Sequence, residues 1–463
     1  MFIMYGNNVG ISMKDYFKET EFVLDKLQFD YLGRRYRGRG IMTWKPCSGF
    51  HIEAPLDLQG MPQPGDIEFG KVRVIRKNDL SSIRMVLHNS NNRAIAPSVV
   101  LVDRLDIINE KRISVNLERV IFSEDYSRYH SSNLTNRFLT GAALYEVHNI
   151  NSLFDPMIHE EKVRFQNHGL LRKSRKTQSG FRYQGEKGQL IQGHLIDTKY
   201  LEFNWELPRE HFAKLCSWQL AEAIQHSLSI LFGQNVSLLK REARCGNLKR
   251  IEVRRKQPVI SLSPLFLFNN YFASNKDFFV KLTDLIAENK PKGFVCCNIF
   301  KQLLEASRQG NWQVRELLVA TALEAALRNI DNESFQTKKN KWNVGNSLRR
   351  FFENQLSEEW SEYYYDVMKA HTYLRDRNAH PDWLFTQGGA LSEEEQAKAL
   401  DSMIFLSRFY GYMILALAGV KNFKPDFPPP HSKWSPVLVI APTNLNGKTL
   451  APGMHQAQEP NNP

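Results

Sequence analysis

Residues 363–383 read YYYDVMKAHTYLRDRNAHPDW, and this stretch decides the class of the C-terminal half. Tyr364, Val367, Met368 and Leu374 recur at helical spacing, so the segment is a helix with one apolar face. Pro381 disfavours helical backbone at the residue before it, which predicts that the helix runs out at His380. The C-terminal end of a helix is the negative pole of its aligned peptide dipoles, and imidazolium is favoured there. Asp376, one turn back, favours the same charged form, so His380 is expected to be poised for proton transfer near neutral pH. Arg375 precedes His380 by five residues, about 7.5 Å of rise and about 140° of rotation, so one straight helix does not bring the two together. Arg377 is three residues away and an equal candidate for a phosphate, since either guanidinium offers a planar fork to phosphate oxygens.

Outward from this stretch, almost everything from Leu265 to Val420 reads as helix, in segments near 265–289, 295–309, 312–330, 346–379 with breaks, and 393–420. In the third segment Val314, Leu317, Leu318, Thr321, Ala322 and Ala325 keep helical spacing, and Glu324 precedes Arg328 as an i,i+4 pair. In the last, Ser392 and Glu395 make a capping box, and Leu400, Met403, Ile404, Tyr410, Met413, Ile414 and Leu417 form a core stripe. The apolar run Met403–Val420 holds Ser407, Arg408 and Gly411, and reads as a buried core helix rather than a membrane span.

Upstream, short β-type runs such as KVRVIR, RISVNLERVIF and YLEFNWEL alternate with turn residues from about Phe22 to Trp205. A helix is expected after Pro208, over His211–Phe232 and stopped by Gly233, with a short β segment at Leu248–Val253. Residues 162–187 are basic, with Arg172, Lys173, Arg175 and Lys176 near Phe181 and Tyr183; they are expected to form a long loop or hairpin, either a solvated charge run or a phosphate contact. Trp44, Phe50 and Trp205 could serve a carbohydrate surface, but such aromatics more often fill cores. The expected fold is therefore α+β and multidomain: a mostly antiparallel β domain over 1–260, with that one helix, then an all-α bundle over 261–424. A Pro-rich disordered tail is expected over 425–463.

Sixty-one Lys and Arg against 49 Asp and Glu give a net charge of +12, which leans toward polyanionic partners. The five cysteines include no CxxC spacing, so neither a disulfide framework nor a zinc site is expected, and no cofactor or metal is implied. The N-terminal residues lack a basic stretch followed by an apolar one, so a cytoplasmic protein without membrane contact is expected.

The run Arg375, Asp376, Arg377, Asn378, Ala379, His380 resembles the R-x4-6-H motif of the HEPN superfamily, with Asp376 as the polar residue after the arginine. LLVATALEAALRNI, with Glu324, resembles the earlier acidic helix of that family. The whole is similar to the Apea-like branch, in which a β-rich N-terminal domain precedes a C-terminal HEPN. The resemblance implies metal-independent RNA cleavage of an antiphage or toxin type: Arg375 and His380 catalytic, Asp376 orienting, Arg377 and Asn378 on the substrate. It also implies a homodimer through the helices and a phage-derived or cellular trigger at the β domain. The apolar surplus of Phe405, Phe409, Tyr410 and Tyr412 fits such a dimer surface or a contact with the β domain. The competing reading is a binding or dimerisation module without catalysis.

Overall fold

A computed structural model describes residues 16–31, 34–46, 48–59, 73–75, 85–89, 94–95, 101–108, 112–123, 138–147, 155–163, 172–184, 190–197, 199–208, 217–245, 248–262, 276–288, 291–331, 342–379 and 392–420. The tail expected over 425–463 lies outside them. The chain divides into two compact units: the first takes Met1–Ile150, Phe154–Gln225 and Val236–Val259, and the second takes Asn151–Leu153, His226–Asn235 and all of the chain from Ile260, so the later half of the helix over Ser217–Phe232 is grouped with the second.

The first unit is built on one sheet of fifteen strands among the described residues, and its strand pairings are antiparallel. The alternation in Tyr200–Pro208 shows why these residues pair. Leu201, Phe203, Trp205 and Leu207 are buried, while Glu202 and Asn204 are half-buried and Glu206 is exposed. Gly193 stands opposite Phe203, where an added Cβ would lie 2.8 Å from the phenyl ring, so the strand must be bare at that point. Trp44 and Phe50 are cross-strand partners with ring centroids 4.6 Å apart, and both are wholly buried. With Trp205 they are core residues, which removes the basis for a carbohydrate surface.

The basic stretch is hairpin rather than loop over its described part. Arg172–Gln184 pairs with Asp155–Val163, setting Arg175 opposite Glu160 and Lys176 opposite His159. The strand Ser237–Cys245 has no clean alternation of apolar and polar residues, because Lys240, Arg241 and Glu242 are all buried in it. Arg241 and Arg254 both grip Glu252 at 2.6 Å, and Glu222 accepts from Arg241 at 3.0 Å, so the charges there satisfy one another. Helix α1 is described over Ser217–Phe232 and ends at Gly233, whose φ of 61° is the left-handed conformation of a helix stop.

The second unit is helical: α2 (Lys276–Ala287), α3 (Pro291–Arg308), α4 (Trp312–Asp331), α5 (Val344–Gln355), a 3-10 turn at Glu358–Tyr363, α6 (Tyr364–Ala379) and α7 (Glu393–Leu417). Local chemistry starts α3, α4, α5 and α7. Pro291 occupies the first turn of α3, Asn311 accepts from Gln313 N at 2.9 Å, and Asn343 accepts from Asn346 N at 3.1 Å. Ser392 and Glu395 form the expected capping box, with Ser392 Oγ accepting from Glu395 N at 3.3 Å.

Helix α4 lies at the centre, packed against α3, α5, α6 and α7. Helix α7 is long and apolar enough to cross a bilayer, yet Met403, Leu406 and the whole run Phe409–Leu417 are buried within the protein. Its aromatics are packed inward. Phe409 stacks on Phe352 at 5.5 Å, Tyr412 meets Trp360 at 4.4 Å, and the Tyr410 hydroxyl donates to Val319 O of α4. Phe409, Tyr410 and Tyr412 are therefore interior side chains, whereas Phe405, the fourth residue of the apolar surplus, is half-buried.

Candidate active site

Two acidic residues on α4 meet cations on α6, in reversed order along the two helices. Glu316 stands 3.5 Å from Arg377, whereas Glu324, two turns later, stands 2.9 Å from Arg375 and 3.4 Å from His371. The reversal means that α4 and α6 run antiparallel. Both helices present apolar residues to the same interface, including Val319, Leu323 and Leu327 on α4 and Val367, Ala370 and Leu374 on α6. The ionic contacts are thus set into an otherwise hydrophobic seam.

His371 and Arg375 are four residues apart, which places them on one face of α6, one turn from each other. They differ in depth. His371 is 2% exposed, while the Arg375 side chain is 50% exposed and that of Glu324 is 15% exposed. The Arg375 contact uses Nε, the nitrogen at the base of the guanidinium fork, so the carboxylate steadies the stem of a group whose outer part reaches solvent. Burial, assisted by the Arg375 charge, pushes the His371 imidazole below its usual range against the opposing pull of Glu324 and Asp376. Tyr410 of α7, close to the same carboxylate, is driven to a higher pKa by burial.

Arg377, expected on the substrate, is placed in the interior of the bundle. Its side chain is 3% exposed and lies in the seam, where it donates to Tyr373 Oη at 3.2 Å and to Glu395 O of α7 at 3.0 Å. Tyr373 donates to the same carbonyl at 3.2 Å, and Lys398 covers its ring at 4.3 Å. The last turn of α6 is so fastened to the first turn of α7. The physical reason is position: Val367, Ala370, Leu374 and Arg377 follow one another at spacings of three, four and three residues, which is the inward stripe. Arg375 falls beside that stripe, at its rim.

Asp376 is exposed next to Arg375. Asn378 belongs to the last turn of α6, but its side chain lies outside the described residues, as does His380 with the segment 380–391. Glu324 does not serve as the partner of Arg328 expected from their spacing: it turns to α6, and Arg328 sits 4.4 Å over the Trp342 ring. His371 was not anticipated as part of the site. Its signal was available, since it sits one turn before Arg375 on the apolar side of the helix, where an ionisable ring needs a partner. Among the described residues no group of three or more His, Cys, Asp or Glu side chains has the arrangement of a metal site.

Chemically, the arrangement offers one anchored, solvent-reaching guanidinium, a carboxylate that orients it, and a buried imidazole behind both. Such a group suits an anion brought from solvent, a phosphate above all. No protein-family model and no curated protein matches this chain.

Proposed function

We propose that the helical unit is a metal-independent endoribonuclease of HEPN type. The observation that carries the reading is the separation of the two arginines. Arg377 is committed to the interior, and Arg375, the arginine of the R-x4-6-H run, keeps its guanidinium half exposed and held at Nε by Glu324. In the reaction the 2′-oxygen of a ribose attacks the adjacent phosphorus, and the bond from phosphorus to the 5′-oxygen breaks. One end carries a cyclic phosphate and the other a 5′-hydroxyl. His380 serves as acid or base for the protons that leave the 2′-oxygen and reach the 5′-oxygen, Asp376 orients the site, and Arg375 stabilises the charge on the pentavalent phosphorus. Asn378 is assigned to substrate binding.

The active form is a homodimer through the helices, because five residues of helix do not let one Arg375 and one His380 share a phosphate, whereas two copies about a dyad can. The β unit receives a phage-derived or cellular trigger, and the protein acts in the cytoplasm as a defence or toxin effector. The test is cleavage of single-stranded RNA by the purified full chain with EDTA present. Cleavage persists, the products carry cyclic phosphates, and Arg375→Ala and His380→Ala each slow it by at least about 100-fold. Loss of all cleavage on chelation, restored by magnesium, refutes the mechanism.

A second reading is a binding module without catalysis. It is favoured by the 2.9 Å contact with Glu324, which already gives Arg375 a counter-charge. Under that reading, expression of wild type and of His380→Ala in bacteria has the same effect on growth.

A further inference from the structure

We propose that His371 is a positioning residue that acts through Glu324 to hold Arg375 in place for its phosphate. This rests on the nuclease reading above. Three observations carry it. His371 Nε2 and Arg375 Nε approach the same oxygen, Glu324 Oε1, at 3.4 and 2.9 Å. The imidazole is 2% exposed, so it cannot reach a substrate and can act only through a neighbour. Neither ring nitrogen makes a well-formed hydrogen bond among the described residues, and of the two it is Nε2 that has a carboxylate oxygen within 4 Å.

These facts select a protonation state and a role. A proton on Nδ1 would be a buried donor with no acceptor, which is costly, whereas a bare Nδ1 is a lone pair in an apolar place. The proton of the neutral ring therefore belongs on Nε2, whose positive end lies 3.4 Å from Glu324 Oε1 as a charge–dipole contact rather than a formed hydrogen bond. The carboxylate is thus flanked by His371 on the buried side and by Arg375 at the rim, both within ion-pair distance of Oε1. A carboxylate fixed on both sides fixes the stem of the arginine, as an outer residue fixes the orientation of an inner ligand. Without His371, Glu324 gains rotamers, and Arg375 loses the pre-set direction of its fork. The groups facing the ring are Glu324 from α4, and Arg375 and Asp376 from its own helix, with Tyr410 of α7 beyond the carboxylate.

The test uses the full chain and two readouts, one of which does not depend on cleavage. The Nε–H resonance of Arg375, identified by its loss in Arg375→Lys, reports by its exchange with water how firmly the stem is held. His371→Leu fills the same interior space without a donor, and His371→Gln supplies an amide N–H that can reach the carboxylate. The expected result is exchange at least about tenfold faster in His371→Leu and near wild type in His371→Gln. In cleavage of single-stranded RNA, His371→Leu loses about tenfold in kcat with KM little changed, and adds nothing to the loss in Arg375→Ala. Unchanged exchange in folded His371→Leu overturns the proposal. So does a further tenfold loss when His371→Leu is added to Arg375→Ala, since His371 would then act independently of Arg375. If wild type itself cleaves no RNA, the nuclease reading fails, and the exchange rates alone decide whether His371 holds Arg375.

Discussion

Replacing Arg377 by alanine should unfold the helical unit early without a specific effect on substrate. The guanidinium lies beside a Glu316 side chain that is 0% exposed and bonds Tyr373 Oη and Glu395 O at 3.2 and 3.0 Å. Removing it leaves a carboxylate inside an apolar seam without that cation, a change that costs about 3–5 kcal/mol in buried pairs. The contact to Glu316 is 3.5 Å, longer than a well-made hydrogen bond, which places the cost toward the lower end, about 3 kcal/mol. At about 2–4 °C per kcal/mol for a unit of this size, the melting temperature falls by about 6–12 °C. The double replacement Glu316→Leu with Arg377→Met removes both charges and should return to within about 1 kcal/mol of wild type. Urea unfolding followed by far-ultraviolet circular dichroism measures all three proteins. An Arg377→Ala chain that unfolds at the wild-type urea concentration while losing RNA binding would refute the reasoning and place Arg377 on the substrate.

Three further outcomes are expected. His371 is held below the ordinary imidazole range, so below about pH 6.5 the unfolded chain takes up a proton that the folded chain resists. Its contribution is complete above that pH and is lost as pH falls toward the folded-state value, by about 1.4 kcal/mol per unit of separation, and the same fall in His371→Gln would show that another group is responsible. Gly293 of α3 sits where an added Cβ would lie 2.7 Å from Leu285 O and 2.9 Å from Ile286 Cα, so Gly293→Ala should cost about 1–3 kcal/mol, and a neutral result in thermal melts would mean that α2 and α3 part easily. Ser392→Ala removes the side-chain half of the capping box on α7, the acceptor for Glu395 N, while the backbone N–H of residue 392 can still donate to the Glu395 carboxylate; it should cost about 1 kcal/mol, whereas Ser392→Asp, which keeps an acceptor, should not, and equal melting of the two would refute a capping role.

The helices were legible because their signals are local. Ser392 and Gly233 set the boundaries read from the sequence, whereas the starts at Pro291 and after Asn343 lie a few residues before the segments expected near 295 and 346; the apolar periodicity of α4 and α7 survives in the packed bundle. The β unit was legible as alternation in Tyr200–Pro208, and poorly so in Ser237–Cys245, where a buried ionic lattice breaks the period that reading depends on. In the site, spacing within α6 was visible, but partners across the bundle were not. Glu324 has Arg328 at the right local distance, and nothing in one helix says that it turns to another. The difference between Arg375 and Arg377 was in fact written in the stripe through Val367, Ala370 and Leu374, which a cation was not expected to join. The aromatic surplus was legible only as composition: the bundle has room for Phe409, Tyr410 and Tyr412, and the pattern of one helix does not reveal that volume.

The ionic contacts between α4 and α6 also act as an alignment gauge for the bundle. Leucines, valines and alanines facing one another across a seam fit nearly as well after one helix slides by a turn, about 5.4 Å, so greasy contact alone chooses the register weakly. Here such a slide would carry Glu316 away from Arg377 and Glu324 away from His371, abandoning charged groups at depths where water cannot follow. Only one vertical setting of α6 against α4 matches both rungs, and that setting is also the one that brings Arg375 to the rim. The groove in which the helices lock and the direction in which the arginine points are thus fixed by the same few atoms.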